Sequence, residues 1–177
     1  MKERKEDVDN LVTSVIHTSN YKSRVCQRQT RDLYYTPSAI NYSSNMSIIE
    51  EKNITIIRKN GDIPNAPYLA MKEKILGKKY DLTVVFCTPK ESQERNATYR
   101  GKDYATNILS FPLSDTEGEI YISLSIVRKG AKEFTMSYPK FLHLLLAHGM
   151  LHLKGLDHGS TMEGLEDTYL HMFYKLD

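Results

Sequence analysis

The sequence predicts an α+β fold, a single domain in which one small mixed β-sheet of about four strands is packed by helices around a central apolar helix. Three observations lead to this prediction. The chain has 177 residues, 40% hydrophobic and 26% charged, which suits one globular domain. Short runs rich in β-branched residues alternate with segments of helical spacing. The helical segment that begins at Pro139 is strongly apolar, as expected of a helix that is buried on most sides.

Residues 1–46 differ in composition from the rest of the chain. They carry seven Lys or Arg against five Asp or Glu, which is the whole formal net charge of +2. The segment is rich in Ser, Thr, Asn and Tyr and has only a weak helical signal. We therefore predict that it is a poorly ordered extension or that translation begins at Met46, and we assign the domain to residues 47–177.

Four segments are predicted as strands because they are short, apolar and bounded by turn-forming residues. They are residues 54–57, 82–87, 107–111 and 119–122. Five segments have helical spacing. They are residues 68–76, 89–99, 124–134, the apolar segment from Pro139, and 162–174. Thr88, Pro89 and Glu91 give the second helix a start signal, with Thr as N-cap and Glu as its capping-box partner.

Charge, apolar runs and cysteines exclude several classes of protein. A net charge of +2 excludes a strongly basic protein that binds nucleic acid by charge alone. No run approaches the roughly 18 apolar residues that cross a bilayer, and the first residues contain no signal-peptide core. Cys26 and Cys87 form no CxxC motif, which favours two free thiols in a reducing cytoplasm.

Three histidines lie close together in the segment AHGMLHLKGLDH. His148 and His152 are four positions apart, so both project from one face of the apolar helix, about 6 Å apart at Cβ. Gly155 follows where a chain leaving a helix often needs a positive φ, and a turn there would bring His158 toward the same face. Three neutral imidazoles leave one position of a tetrahedral zinc ion open, which is typical of a catalytic zinc site.

The spacing of this motif is also that of the metzincin proteases, H-E-x-x-H-x-x-G-x-x-H, except at one position. Gly149 stands where those proteases have the Glu that acts as general base. Glycine cannot transfer a proton, so peptide hydrolysis by that mechanism loses its base while metal binding is unaffected. Asp157 is predicted either to orient a ligand or to stabilise the turn, and His143 is predicted to be structural because it faces another direction on the helix.

The segment HGMLHLKGLDH resembles the signature H-G-x-L-H-L-x-G-x-D-H of the YbeY family, which are bacterial ribosomal RNA maturation factors and endoribonucleases. Two further blocks, YRGKDYATNILSFP at 99–112 and GEIYIS at 118–123, resemble segments of that family in the same order. The resemblance covers roughly residues 47–177. Asn107 and Glu119 each stand where the family usually has Asp.

The resemblance implies a zinc-dependent, single-strand-specific endoribonuclease of the cytoplasm, acting in 16S rRNA 3′-end maturation, ribosome biogenesis and ribosome quality control. It implies that His148, His152 and His158 bind one Zn²⁺ ion and that Arg100 is the functionally important arginine. The expected chemistry is attack by a metal-bound water on the phosphodiester while Arg100 holds the phosphate.

The expected partners are single-stranded RNA and the small ribosomal subunit with its associated proteins, and neither DNA nor a membrane. Because the domain is nearly neutral, we expect those partners to deliver the substrate. Two alternatives remain open. The chain could be a non-catalytic metal-binding ribosome-assembly factor, or, third in order, a zinc peptidase that lacks the usual Glu base. Turnover distinguishes these functions, whereas metal content does not.

Overall fold

A computed structural model of the chain describes residues 46–59 and 62–174. Its elements, in order, are β1 (Ser47–Glu51), β2 (Ile54–Arg58), α1 (Tyr68–Ile75), β3 (Asp81–Phe86), α2 (Pro89–Arg100), β4 (Ile108–Pro112), β5 (Glu117–Ile122), α3 (Leu124–Glu133), α4 (Tyr138–Leu153) and α5 (Ser160–Phe173). The α+β class and the single mixed sheet are confirmed, and every predicted helix and strand is present with ends that differ by one or two residues. The prediction for residues 1–46 falls almost entirely outside the described residues.

Within the described residues the sheet has five strands, where the sequence predicted about four, in the order β1-β2-β3-β5-β4. Strands β2, β3 and β5 are parallel, and β1 and β4 are antiparallel strands at the two edges. The strand that the sequence did not predict is β1, in which Ile48 and Ile49 are 38% and 43% exposed. An edge strand whose side chains are mostly exposed lacks the alternation of buried and exposed positions that identifies a strand in a sequence.

The sheet separates two hydrophobic clusters of unequal size. The larger cluster lies between the sheet and helices α1, α3, α4 and α5. The smaller cluster, on the opposite face, consists of Leu109, Phe111 and Tyr121, with Tyr99 of α2 packed against it. Within the described parts of the chain, none of the helices has both the length and the apolar character that crossing a bilayer requires.

Helix α2 begins and ends at well-defined residues. The hydroxyl of Thr88 accepts a hydrogen bond from the N–H of Glu91, and Oε2 of Glu91 accepts one from the N–H of Thr88 at 2.9 Å, so the predicted capping box is present. At the other end, Gly101 has a φ of 67° and donates its N–H to Ala97 O at 3.0 Å. This left-handed cap fixes the last residue of the helix, Arg100.

Helix α4 lies between the sheet and the other helices of the larger cluster, and eleven of its sixteen residues are buried. The hydroxyl of Ser137 caps its first turn by accepting a hydrogen bond from the N–H of Lys140. It packs tightly against the sheet at Gly149, where a Cβ atom would lie 2.8 Å from Cδ1 of Ile108 and 3.1 Å from Cδ1 of Ile120. A larger residue at this position would have to displace these side chains or the helix itself.

Candidate metal centre

The structure brings the three histidines of the motif together at the end of α4 and the turn that follows. Each offers one ligand atom, and the three atoms lie within 4.8 Å of one another. The side chain of His148 is 2% exposed, while His152 and His158 are half-buried. The cluster is therefore largely enclosed by protein on the side of His148 and accessible from the side of the other two residues.

The turn after α4 explains how His158 reaches the helix. Gly155 has a φ of 90° and donates its N–H to His152 O at 2.9 Å, and Leu156 donates its N–H to Leu151 O at 3.1 Å. This pair of bonds is a Schellman motif, in which the residue after the helix cap is left-handed. The predicted requirement for positive φ at Gly155 is thus met, and the chain reverses so that His158 faces the helix.

The Nδ1 atoms of two rings are held by hydrogen-bond acceptors. Nδ1 of His148 lies 2.6 Å from Oε1 of Glu166, and Nδ1 of His152 lies 2.8 Å from the carbonyl oxygen of Leu156. A carboxylate and a carbonyl accept hydrogen bonds, so each Nδ1 carries the ring proton and donates it. Each neutral ring then has its lone pair on Nε2, which leaves that atom available to a metal.

The Nε2 atoms of His148 and His152 face each other at 3.0 Å. Two lone pairs at this distance repel unless a cation lies between them. Two nitrogen ligands on a tetrahedral zinc ion, each with a Zn–N distance of about 2.0–2.1 Å, are about 3.3 Å apart, close to the observed separation. The donor set therefore fits a divalent metal ion.

The electrostatic environment also favours neutral rings. The pKa of His148 is lowered to about 3, mainly by burial and in addition by the charges of His158 and Arg100. Burial likewise lowers the pKa of His152 to about 3. Both rings are neutral at pH 7, as metal ligands must be.

Arg100 contributes positive charge beside this cluster. It is half-buried at the end of α2, and its charge is among the causes that lower the pKa of both His148 and His152. The left-handed cap at Gly101 fixes the backbone from which its side chain extends. A guanidinium with five N–H donors next to a metal centre suits the binding of a phosphate or carboxylate group.

Glu166 is the residue of this site that the sequence analysis did not identify. It lies on α5, eighteen positions after its partner His148. Glu163 and Asp167 are close to it in the sequence, and no sequence pattern indicates which of the three acids contacts a histidine. Asp157, which the sequence offered as an orienting residue, is exposed. Glu166 could have been found by assuming that the helix after the motif packs against the helix that carries the ligands. Under that assumption the acidic residues of α5 are the candidates for contact with a ligand histidine.

The two departures from the family pattern lie at different places. Glu119 accepts a hydrogen bond from the hydroxyl of Tyr121 at 2.9 Å, on the sheet face that α2 covers. Asn107 is 3% exposed, its Oδ1 accepts from Oγ1 of Thr106, and its carbonyl accepts from the N–H of Ser123 at 2.9 Å. The Glu119 replacement is therefore on the face of the sheet opposite α4.

The other described histidines lie apart from the cluster. Nδ1 of His143 donates to Pro139 O at 2.7 Å, and its ring packs edge-on against Tyr174. His171 is exposed on α5. These contacts agree with the structural role predicted for His143.

Comparisons with known proteins agree with the motif. The family model described as Endoribonuclease YbeY matches residues 38–173. A protein of Alkaliphilus metalliredigens named Endoribonuclease YbeY is 39% identical over 98 residues, which are 49% of this chain and 63% of that protein. One of the same name from Bdellovibrio bacteriovorus is 35% identical over 103 residues, which are 54% of this chain and 69% of that protein.

The matched part of this chain thus spans somewhat less than two thirds of the first of these relatives. A solution structure of a Thermotoga maritima protein is 31% identical, with a TM-score of 0.49 over 67% of this chain and 87% of that chain.

Proposed function

The chain belongs to the Endoribonuclease YbeY family, and from this premise we propose that it is a zinc-dependent endoribonuclease that cleaves single-stranded RNA. The observation that carries the proposal is the facing pair of Nε2 atoms of His148 and His152, 3.0 Å apart, with His158 beside them. Two neutral imidazoles held in this geometry by Glu166 and Leu156 are prepared for a cation.

His148, His152 and His158 would hold the zinc ion through their ring nitrogens. A bound ion would supply Lewis-acid chemistry, lowering the pKa of water and polarising the scissile phosphate. Arg100 binds non-bridging oxygens of the same phosphate through two parallel N–H groups, which orients the phosphodiester and stabilises the negative charge that develops in the transition state. Burial of His148 keeps its ring neutral, so the ligand set does not lose the metal to protons at pH 7.

The substrate class in the cell is the 3′ end of 16S rRNA on the small ribosomal subunit, in ribosome maturation and quality control in the cytoplasm. The family supports this assignment, and so does the charge of the chain. Residues 47–177 have a formal net charge of zero, so the domain gains little affinity for RNA from counterion release. The subunit and its proteins therefore supply much of the binding energy that brings the RNA to the site.

Peptide hydrolysis by the metzincin mechanism receives no support, because residue 149 faces Ile108, Ser110 and Ile120 of the sheet rather than the metal centre. A non-catalytic assembly factor is the second candidate, since a metal held by the same histidines could serve structure alone.

The test is cleavage of a labelled RNA that carries one single-stranded and one duplex segment. Zinc-loaded protein is compared with chelated protein, with His152→Ala, and with His171→Ala as the control for loss of an exposed histidine outside the site. We expect metal-dependent cleavage confined to the single strand, abolished in His152→Ala and unchanged in His171→Ala.

If no sample cleaves this RNA, the assay is repeated on isolated small subunits. Cleavage there by the zinc-loaded wild type and His171→Ala, but not by His152→Ala, supports the enzyme. An absence of cleavage on both substrates, with ribosome assembly activity that survives His152→Ala in a folded protein, would assign the chain to the assembly factors instead.

A further inference from the structure

The solvent-facing side of α3 carries three basic residues next to one another. Arg128, Lys129 and Lys132 are all exposed. Residues three and four positions apart on a helix have Cβ atoms about 5–6 Å apart, so Lys132 is a neighbour of both other residues. The opposite side of α3 is buried and packs in the larger hydrophobic cluster. We call Arg128, Lys129 and Lys132 the basic stripe.

The basic stripe is not neutralised by nearby acids. Within residues 46–59 and 62–174, none of its three cations forms an ion pair with a carboxylate. Glu133, which is exposed, is the only acid between residues 124 and 140, where four Lys or Arg are found. Helix α5, by contrast, has three acids and no Lys or Arg in its sequence. The formal net charge of zero over residues 47–177 therefore hides a concentration of positive charge on α3 and the start of α4.

These charges do not stabilise the helices that carry them. Arg128 and Lys132 are four positions apart, and like charges at this spacing destabilise a helix. The helix dipole favours Lys132, in the last turn of α3, but its effect does not extend to Arg128 and Lys129. Lys140 lies in the first turn of α4, where the dipole disfavours a cation, and that turn contains no acid. Helix stability therefore does not account for the charge, whereas binding of an anion would.

The contacts of α3 fix where the basic stripe lies relative to the histidine helix. The guanidinium carbon of Arg128 lies 4.9 Å from the centroid of the Tyr138 ring. A Cβ atom on Gly130 would lie 2.7 Å from Cε1 of Phe141. Helix α3 thus packs against the first turn of α4. His148 follows ten residues after Tyr138 on the same helix, which is about 15 Å along its axis.

This separation limits the kind of anion that could use both the basic stripe and the metal centre. A small anion contacts one or the other, whereas an extended polyanion reaches both. Single-stranded RNA carries a phosphate at every nucleotide, and Lys or Arg residues that neutralise phosphates release the counterions bound to the strand. The guanidinium of Arg128, held over the ring of Tyr138, is always charged and can donate two parallel hydrogen bonds to one phosphate.

We propose that the basic stripe of α3 binds the phosphate backbone of single-stranded RNA outside the point of cleavage, and so holds the strand whose scissile phosphate lies at the metal centre. The choice of RNA as the ligand rests on the proposed function. The stripe adds a second binding surface to that function. Three phosphate contacts give only a modest affinity, which agrees with a substrate that is delivered by the small ribosomal subunit.

The first test measures how RNA affinity depends on salt in zinc-loaded full chains. The stripe variant carries Arg128→Gln, Lys129→Gln and Lys132→Gln. The control variant carries Lys74→Gln, Lys78→Gln and Lys79→Gln, which removes the same charge from exposed lysines at the end of α1 and in the turn after it. Fluorescence anisotropy gives Kd between about 50 and 200 mM salt for a labelled single-stranded RNA of about 15 nucleotides. Its riboses are 2′-O-methylated, so that nucleases cleave it slowly.

Each lost phosphate contact should lower the slope of log Kd against log salt by about 0.7. The stripe variant should therefore lose about 2 from the slope and bind the RNA roughly 10- to 100-fold more weakly at low salt. The control variant should keep the slope of the wild type. Lys129→Gln with Lys132→Gln, which leaves the contact of Arg128 with Tyr138 in place, should lose about 1.4 from the slope. Its zinc content and its midpoint of urea unfolding should be those of the wild type.

Cleavage kinetics separate binding of the strand from the reaction. The KM for a long single-stranded RNA should rise in the stripe variant by about the same factor as Kd, with kcat within about twofold of the wild type. A dinucleotide has one phosphodiester, which lies at the metal centre during cleavage. Its KM should therefore be the same for the wild type and the stripe variant.

Equal slopes for the wild type and the stripe variant would overturn the inference, and so would equal losses in the stripe and control variants. Binding by the wild type that does not depend on salt would overturn it as well. The binding measurement does not require cleavage. A wild type that binds RNA as expected but cleaves neither free RNA nor small subunits would therefore overturn the proposed endoribonuclease activity and leave the binding surface standing.

Discussion

Glu166 on α5 holds the ring of His148 on α4 through a contact of 2.6 Å between Oε1 and Nδ1. The imidazole is 2% exposed, so its position is fixed by protein on nearly every side. The carboxylate keeps the proton on Nδ1 and directs Nε2 toward the other two histidines, the arrangement seen in carboxylate–histidine–metal triads. The candidate site is therefore built from two helices and the turn between them rather than from the motif alone.

We expect Glu166→Ala to weaken zinc binding by about 10- to 100-fold, because the ring of His148 loses the acceptor that fixes its tautomer. Glu166→Gln, which retains an amide oxygen without the charge, should have a smaller effect. Competition with a chromophoric chelator measures both, and Glu163→Gln on the exposed side of the same helix serves as control. Wild-type affinity in a folded Glu166→Ala protein would show that the carboxylate does not support the metal.

The metal-free protein should lose stability as the pH falls below 6.5. The pKa values of His148 and His152 are lowered to about 3 in the folded chain, whereas both return to about 6.5 on unfolding. Between these values the unfolded state binds more protons, so the free energy of unfolding decreases with falling pH, by up to about 1.4 kcal/mol per pH unit for each histidine.

Urea unfolding of chelated protein at pH 7, 6 and 5 measures this slope. His152→Gln should reduce it by about half, since one of the two titrating groups is removed. A free energy of unfolding that stays constant from pH 6.5 to 5 would contradict the assignment of neutral buried rings.

Arg100→Ala should lower kcat/KM for RNA cleavage by roughly 100-fold or more, because the transition state loses a charged donor pair. Arg100→Lys should recover only part of the loss, since an ammonium does not match two phosphate oxygens at once. Zinc affinity should be retained or slightly increased, because removal of a neighbouring positive charge reduces repulsion of the cation. A parallel loss of zinc and of activity would indicate that Arg100 supports the fold of the site instead.

Gly149→Ala should destabilise the chain by about 1–3 kcal/mol, because the new methyl group would lie 2.8 Å from Cδ1 of Ile108. Gly164→Ala on α5 is the matched control, since nothing lies within 4 Å of its Cβ position. That change should stabilise the helix by about 0.4–1 kcal/mol. Urea unfolding compares the two, and a stability of Gly149→Ala equal to that of the wild type would show that α4 can shift away from the sheet without cost.

The sequence predicted those features of the site that depend on local signals. The capping box at Thr88 and Glu91, the left-handed residue at Gly155 and the shared face of His148 and His152 each follow from spacing within a few residues. The spacing did not reveal that the turn after α4 also orients the ring of His152, which it does through the carbonyl oxygen of Leu156.

Features that depend on contacts between distant segments were not predicted. The partnership of Glu166 with His148 is set by the packing of α5 on α4, and no pattern within either helix distinguishes that acid from its neighbours. Strand β1 is formed by pairing with β2, in the register Ile49↔Ile56, although its own side chains are largely exposed. In both cases tertiary packing decides the outcome.

The close approach of Gly149 to β4 and β5 bears on how one ligand arrangement can serve different reactions in evolution. Histidines four residues apart on a helix project from one face and can share one metal ion. The position after the first histidine lies about a quarter turn away, and its surroundings decide whether a proton-transferring side chain can be accommodated there. In this chain the sheet occupies that space, so the shared ligand spacing does not bring the peptidase chemistry with it.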